Sequence, residues 1–427
     1  MEPVSGRFEV CVLGAGPSGA SASFSLSKAG IRHLVLDADE FPRHKPCGDI
    51  LTSPSIRAMN RVDPDLLQTM WQNGQLNPIW RTHTYSSNGK PISIDFLPLD
   101  RVEGRPSCYS MSRWDLDLLL HQKIKASPFA EVQTACRIRK IRRDEAGFEL
   151  ESDAGQCFQT RLLILATGSS NAMLQQLGLK VTDEDSAIGI RAHFENLDWR
   201  KDETGLFLRE DLMPGGFYIT PLPDGTCNVN LVMSLRYVQE HQVSLKDTFE
   251  SVLEKSQELK HIFRNARRIG NFQGSRLFLG IRKREVAGEG FLVTGDSAGL
   301  IEFFSGNGLP QAFISGQLAG QLAAEAVEKQ DFSASFLSRF ETELYQKIKL
   351  DTTGGQIVFP MLHRPFFSRM MLRLLNYMSA RPQTNSMLRD LLYEKNPTKL
   401  LRKPSFIYRL LFQSGSRVSL AAGTPKK

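Results

Sequence analysis

The chain has 427 residues, 41% of them hydrophobic, 23% charged and 9% aromatic, values of a folded protein with a large core, which confine disorder at most to the tail from Ser414. The net charge of +7 is uneven: residues 355–427 hold 13 Lys/Arg against Asp390 and Glu394, so the basic character belongs to the last part of the chain and suggests an anionic partner there. Six scattered cysteines without a Cys-x-x-Cys pair exclude a disulfide framework or zinc site, and no apolar stretch reaches the roughly 18 residues of a spanning helix, so a reduced, cytoplasmic protein is expected.

Residues 1–9 lack the basic-then-apolar order of a secretory signal and lead into a short apolar strand, 9–13. Gly14-Ala15-Gly16-Pro17-Ser18-Gly19 follows, then a helix of small residues over 20–29 and a second strand over 33–36 that ends at Asp37. In such a βαβ unit the first glycine makes the tight turn and the second lets backbone N–H groups approach a pyrophosphate. The third lets helix and strand close together, and the acid accepts from ribose hydroxyls. Strand, glycine loop, helix and acid in this order predict a dinucleotide site rather than a structural turn.

The next segment, Pro42-Arg43-His44-Lys45-Pro46-Cys47-Gly48-Asp49, must cross whatever that site binds. Its cysteine is either a small apolar filler or a group at a reacting centre. His44 and Cys47 have no further ligands at a metal spacing, so no metal is expected. Residues 162–166 and 290–293 read as parallel strands whose ends, Thr167-Gly168 and Thr294-Gly295-Asp296, face a ligand. Between them, 215–221 and 227–233 flank a Pro/Asp/Gly turn as a hairpin, which predicts an antiparallel sheet inserted into the nucleotide domain. Residues 244–265 and 309–350 read as helices. In 361–375 and 400–412, Arg, Phe, Met and Leu interleave at helical spacing. That pattern suits a helix on an anionic bilayer, a cap packed on the nucleotide domain, or a face for an acidic carrier protein, and nucleic acid is not expected.

FAD is favoured over NAD because the chain returns late to its nucleotide domain with Gly295-Asp296-Ser297-Ala298-Gly299 and Gly306-Asn307-Gly308. An acid at a strand end, followed by glycines opening a helix, suits a ribityl hydroxyl and a flavin pyrimidine edge. With Arg113-Trp114-Asp115-Leu116-Asp117 and Ala166-Thr167-Gly168, these motifs resemble the glutathione-reductase-type FAD flavoproteins of the hydroxylase and geranylgeranyl reductase superfamily. The resemblance covers about residues 8–350 and implies an α/β fold: a Rossmann-like FAD-binding domain (1–80, 105–185 and 285–345), an inserted antiparallel-sheet substrate domain (81–104 and 186–284) and a basic helical C-terminal segment (346–427). It implies that Gly14, Gly16, Pro17, Ser18, Gly19, Asp37, Lys45, Gly168, Gly295, Gly306, Asn307 and Gly308 bind the cofactor, with Arg113 against FAD and Asp296 on its ribityl chain.

Residues 42–49 are similar to the P-R-x-K-x-C-G-G segment of geranylgeranyl reductase-like proteins, which implies that Cys47 and Gly48 lie beside the isoalloxazine as catalytic candidates. Two segments depart from that family. Glu302-Phe303-Phe304 stands where it usually has proline, and Gly216-Phe217-Tyr218-Ile219-Thr220-Pro221 replaces its Y-x-W-x-F-P. Phe217, Tyr218, Phe303 and Phe304 are therefore either pocket residues or core aromatics. The G-x-W-x-x-I-P segment of flavin halogenases is absent. The expected activity is reduction of alkene bonds in a hydrophobic, isoprenoid-like substrate, with NADPH or NADH as donor although no nicotinamide fingerprint is visible. A flavin monooxygenase is the alternative, and a non-catalytic flavin-binding scaffold would leave Cys47 and Asp296 without purpose.

Overall fold

The computed structural model describes residues 6–86, 91–96, 98, 105–180, 183–348 and 352–379. The first strand, Arg7–Leu13, is buried almost throughout from Val10 onward, as a strand with parallel neighbours on both sides must be. It lies between His33–Leu36 and Cys157–Leu165, and pairs in parallel with each. Ala130–Gln133 extends the sheet beyond His33–Leu36, and Phe291–Val293 extends it beyond Cys157–Leu165. Ala287–Gly288 and an antiparallel ribbon of Ile138–Asp144 and Gly147–Ser152 complete eight strands.

The glycine loop leaves the first strand into the helix Pro17–Lys28, which starts earlier than its apolar pattern suggests because Pro17 suits the first helical turn. A long helix, Leu309–Lys329, packs along it. Small residues make that approach possible: a Cβ on Gly316 would lie 2.0 Å from the Ser18 carbonyl oxygen, and one on Gly320 would lie 2.4 Å from that of Ala22.

A second sheet has seven strands, in the order Arg267–Phe278, Ser186–Glu195, Cys227–Ser234, Gly215–Pro221, Glu203–Phe207, Arg81–Tyr85 and Ile92–Asp95. All neighbours are antiparallel except Glu203–Phe207 with Arg81–Tyr85. One face carries Phe217, Val229 and Leu231 against Phe249, Val252 and Leu259 of the helices Leu245–Lys255 and Gln257–Ile262. The other face turns toward the glycine loops of the first sheet. A small third sheet, Ile50–Leu51 with Tyr109–Ser110 and Asn77–Pro78, carries the Cys47 segment onward.

Thr352–Leu362 and Pro365–Ser379 are helical. The remainder of the basic segment, including 400–412, lies outside the described residues. No helix among the described residues is long and apolar enough to cross a membrane.

Candidate functional site

The glycine turn is built by exclusion. Gly14 has φ +109°, and a Cβ there would meet the Ala166 carbonyl oxygen at 2.3 Å. A Cβ on Gly19 would fall 1.7 Å from the Gly14 carbonyl oxygen, so the helix can close on the strand only with glycine at both positions. The helix that follows has no side-chain cap at its start, which leaves its first N–H groups to an anion. Asp37, 4% exposed, is held by two backbone donors: Ala15 N–H to Oδ2 at 2.7 Å and Asp39 N–H to Oδ1 at 3.0 Å.

These residues open onto one cavity of about 1090 Å³ between the two large sheets. Gly14, Gly16, Pro17, Ser18, Asp37 and Lys45 line it, as do Cys47, Gly48, Arg113, Gly168 and Asp296, with Gly306, Asn307 and Gly308. Gly19 and Gly295 stand behind the wall instead, as packing residues: a Cβ on Gly295, whose φ is +61°, would meet Ser18 Oγ at 2.7 Å. Gly308 lies beside Asp296, whose Oδ1 would be 3.1 Å from an added Cβ, and Asn307 Nδ2 donates to Thr52 Oγ1 at 2.8 Å, tying that loop to the Cys47 side. At Gly48 and Gly306 an added Cβ would meet nothing within 4 Å, so these glycines border open space. An uncapped helix start, two carboxylates, Asp37 and Asp296, and glycines lining the same cavity fit an FAD.

Arg113 opens the helix Arg113–Lys125, whose N-cap Ser112 accepts from Trp114 N–H at 3.1 Å. Its guanidinium forks onto the fully buried Asp117, with Nε at 2.9 Å and Nη2 at 2.8 Å from Oδ1. Burial opposes its charge, but Asp117 and then the Cys47 side chain outweigh that and hold Arg113 above the ordinary arginine range. Arg43 Nη2 also approaches Asp117, at 3.4 Å.

The aromatic candidates divide. Tyr218 and Phe303 line the cavity. Phe217 does not: successive side chains of Gly215–Pro221 point to opposite faces, and Phe217 is fully buried on the far face, its ring 5.0 Å from that of Phe249. Of the two places open to it, pocket or core, Phe217 takes the core. Phe304 lies off the cavity, edge-on to Phe303 at 6.1 Å.

A charged clasp that the sequence reading missed joins the Cys47 segment to the seven-stranded sheet. Asp49, 1% exposed, pairs with Arg191 Nη1 at 2.9 Å and accepts from Asn228 Nδ2 at 2.6 Å. Asn228 Nδ2 also donates to the Cys47 carbonyl oxygen at 2.8 Å, and Arg191 Nη2 donates to Gln273 Oε1 at 3.0 Å. The one available signal was local: an aspartate, at φ +56°, stands where P-R-x-K-x-C-G-G has its last glycine. Among the described residues no cluster of three or more His, Cys, Asp or Glu could hold a metal.

A nucleotide-binding sheet with parallel central strands, whose glycine-lined cavity is closed by a second sheet, defines an FAD-dependent oxidoreductase. Residues 7–278 match the FAD binding domain family, and the chain belongs to it. It is 27% identical over 345 residues to digeranylgeranylglycerophospholipid reductase 2 of Methanopyrus kandleri, covering 78% of this chain and 81% of that protein. A protein of the same name from Thermoplasma volcanium is 23% identical over 344 residues, 78% of this chain and 82% of that one. Among solved structures, a geranylgeranyl bacteriochlorophyll reductase-like protein from Thermoplasma acidophilum superposes with a TM-score of 0.77 at 19% identity, over 93% of this chain and 99% of that one. A flavin-dependent brominase superposes at 0.68 and 18% identity, over 90% and 98%.

Proposed function

We propose that this chain saturates carbon–carbon double bonds of an isoprenoid chain held between the cofactor and the seven-stranded sheet. The observation that carries this reading is that a single cavity is lined both by Asp37 and Cys47 and by the largely apolar set Leu206, Tyr218, Val232 and Phe303. The names of the curated relatives, reductases of prenylated lipids, support it.

Bound FAD, reduced by NADPH or NADH, supplies a hydride to the alkene. In the proposed assignment Gly14, Gly16, Pro17, Ser18 and the helix N-terminus seat the pyrophosphate. Asp37 accepts from the adenosine ribose and Asp296 from the ribityl chain, while Lys45, Gly168, Gly306, Asn307 and Gly308 shape the remaining contacts. Cys47 and Gly48 border the reacting face, and Arg113 sits behind Cys47. Residues 1–80, 105–185 and 285–345 form the FAD domain in this reading, and 81–104 with 186–284 the substrate domain.

The C-terminal segment takes the role of a peripheral contact with an anionic membrane. On the helix Pro365–Ser379, Phe366, Met370 and Tyr377 are exposed at 69%, 51% and 44%, an apolar row beside Arg369 and Arg373.

The test is anaerobic. Dithionite-reduced protein mixed with a geranylgeranyl glycerolipid regains the oxidised flavin spectrum if the lipid accepts the hydride. A monooxygenase stays reduced until oxygen is admitted, and that result would replace this reading with hydroxylation.

A further inference from the structure

Resting on the reductase reading for its ligands, we propose that a groove of the cavity between three helices binds a phosphate monoester, carried by the lipid to be reduced or by the nicotinamide donor. Two of the helices, Ser53–Val62 and Leu309–Lys329, run side by side. Asn307 Nδ2 donates to Thr52 Oγ1 at 2.8 Å just before both begin, and Gln317 Nε2 donates to the Arg61 carbonyl oxygen at 3.3 Å where the first of them ends. From the first helix Pro54, Arg57, Ala58 and Arg61 line the cavity, the spacing of a single helix face. From the second, Pro310, Gln311 and Ile314 line it, again one face. The helix Arg339–Ile348, packed on the second, adds its last two residues, Lys347 and Ile348.

Arg57, Arg61 and Lys347 are exposed, so they stand where this groove meets solvent, whereas Ala58 is buried and Ile314 and Ile348 are half-buried. Cations at the rim of an apolar floor suit an amphiphile, an anionic group joined to a hydrocarbon or ring system.

The other exposed cations that line the cavity already face carboxylates: Arg137 and Asp39 at 3.7 Å, Arg139 and Glu151 at 3.2 Å, Arg276 and Asp183 at 3.1 Å. Arg61 and Lys347 have no ion pair among the described residues. None of the acids that line the cavity comes from the three helices, and Glu302, on the loop before Leu309–Lys329, spends its oxygens on the N–H groups of Phe304 and Ser305 at 3.0 and 2.7 Å. Positive charge gathered without an acid on the same helices calls for a ligand with more than one negative charge. A phosphate monoester supplies it, and its oxygens match the fork of a guanidinium. The pyrophosphate of FAD does not account for these cations, because it is assigned to the uncapped start of a different helix, at Pro17.

The test is isothermal titration calorimetry on oxidised holoenzyme: wild type, the double variant Arg57→Gln/Arg61→Gln, and Lys347→Gln. One pair of probes is a geranylgeranyl glycerolipid with a phosphate headgroup and the same lipid without it, both in detergent micelles. The other pair is NADPH and NADH, which differ by the phosphate on the adenosine ribose. In at least one pair the phosphorylated member should bind at least about tenfold more weakly to the double variant and about threefold more weakly to Lys347→Gln, the scale of lost charge-assisted hydrogen bonds, while its partner changes less than about twofold. Loss confined to the phosphorylated lipid identifies the headgroup as the occupant, loss confined to NADPH identifies the donor, and either supports the groove. Unchanged affinity for both phosphorylated probes, or equal loss for the two members of each pair, overturns it. Should the double variant lose FAD, Lys347→Gln, an exposed change at a helix end, carries the same comparison. The titration involves no turnover, so the groove can fail while the anaerobic lipid test succeeds, and failure of that test alone removes the reductase reading.

Discussion

Asp49 adopts φ +56°, a conformation that glycine reaches freely and other residues only at a cost. Its pairing with Arg191, 4% exposed, offsets that cost and leaves neither charge alone. Asp49→Ala would strand the Arg191 guanidinium, with an expected loss of about 3–5 kcal/mol, and pairing it with Arg191→Met should recover part of that loss. Denaturant unfolding reads both, and a loss below about 1 kcal/mol in the single variant contradicts the clasp. Asp296→Ala removes a carboxylate acceptor and should weaken FAD retention by roughly 1.5–3 kcal/mol, measured by equilibrium dialysis, while leaving the fold intact. The difference in legibility between these two sites is physical. The glycines and the acids Asp37 and Asp296 are fixed to strand ends by local chain geometry, so their spacing exposes them. Arg191 and Asn228 come from strands that meet the Cys47 segment only in the folded chain, and nothing in their local pattern marks them.

Alternation decides more than residue type on the strand Gly215–Pro221. Aromatic character alone left Phe217 and Tyr218 equal, whereas the pleat sends one to the core and the other to the cavity. The strand Arg267–Phe278 was not legible because most of its residues are exposed or half-buried and it carries little apolar alternation. The pairing of Pro17–Lys28 with Leu309–Lys329 was legible only as two helices, since Gly316 and Gly320 of the second meet the Ser18 and Ala22 carbonyls of a helix far away in the sequence. Gly316→Ala would force those helices apart and should cost about 1–3 kcal/mol together with FAD content, read by thermal unfolding and flavin absorbance. A stable variant with full FAD would contradict close packing there. Replacing Arg369 and Arg373 of the helix Pro365–Ser379, and Arg364 just before it, by Gln should reduce sedimentation with anionic vesicles while FAD content holds. Each cation is worth roughly 1 kcal/mol at an anionic surface. Arg369 also contacts Glu210 at 3.2 Å, an exposed pair of little weight for stability. Absence of sedimentation at every salt concentration would contradict the membrane contact and leave the helix as a cap.

Three histidines are expected to tie the stability of the whole molecule to pH. Burial lowers His33, His121 and His363 below the ordinary value. His33 is fully buried between Ser23 Oγ at 2.7 Å and the Ile31 carbonyl oxygen at 2.8 Å. A folded value below the unfolded one means the unfolded chain binds protons first as pH falls. The contribution is therefore fully present above about pH 6.5 and lost as pH falls through the folded values. Thermal midpoints should drop on acidification toward about pH 5, less steeply in His33→Gln, and identical slopes in the two proteins would remove His33 from the account. At this scale the two-sheet plan was readable because each sheet announces itself locally, by a βαβ fingerprint in one case and a hairpin in the other. The cavity between them was not, since it exists only once both are assembled. The most direct test of what that cavity does is mass spectrometry of a prenylated lipid after turnover with the reduced holoenzyme. Gain of two hydrogens per double bond is the expected result, and gain of an oxygen, or recovery of unchanged lipid, would contradict it.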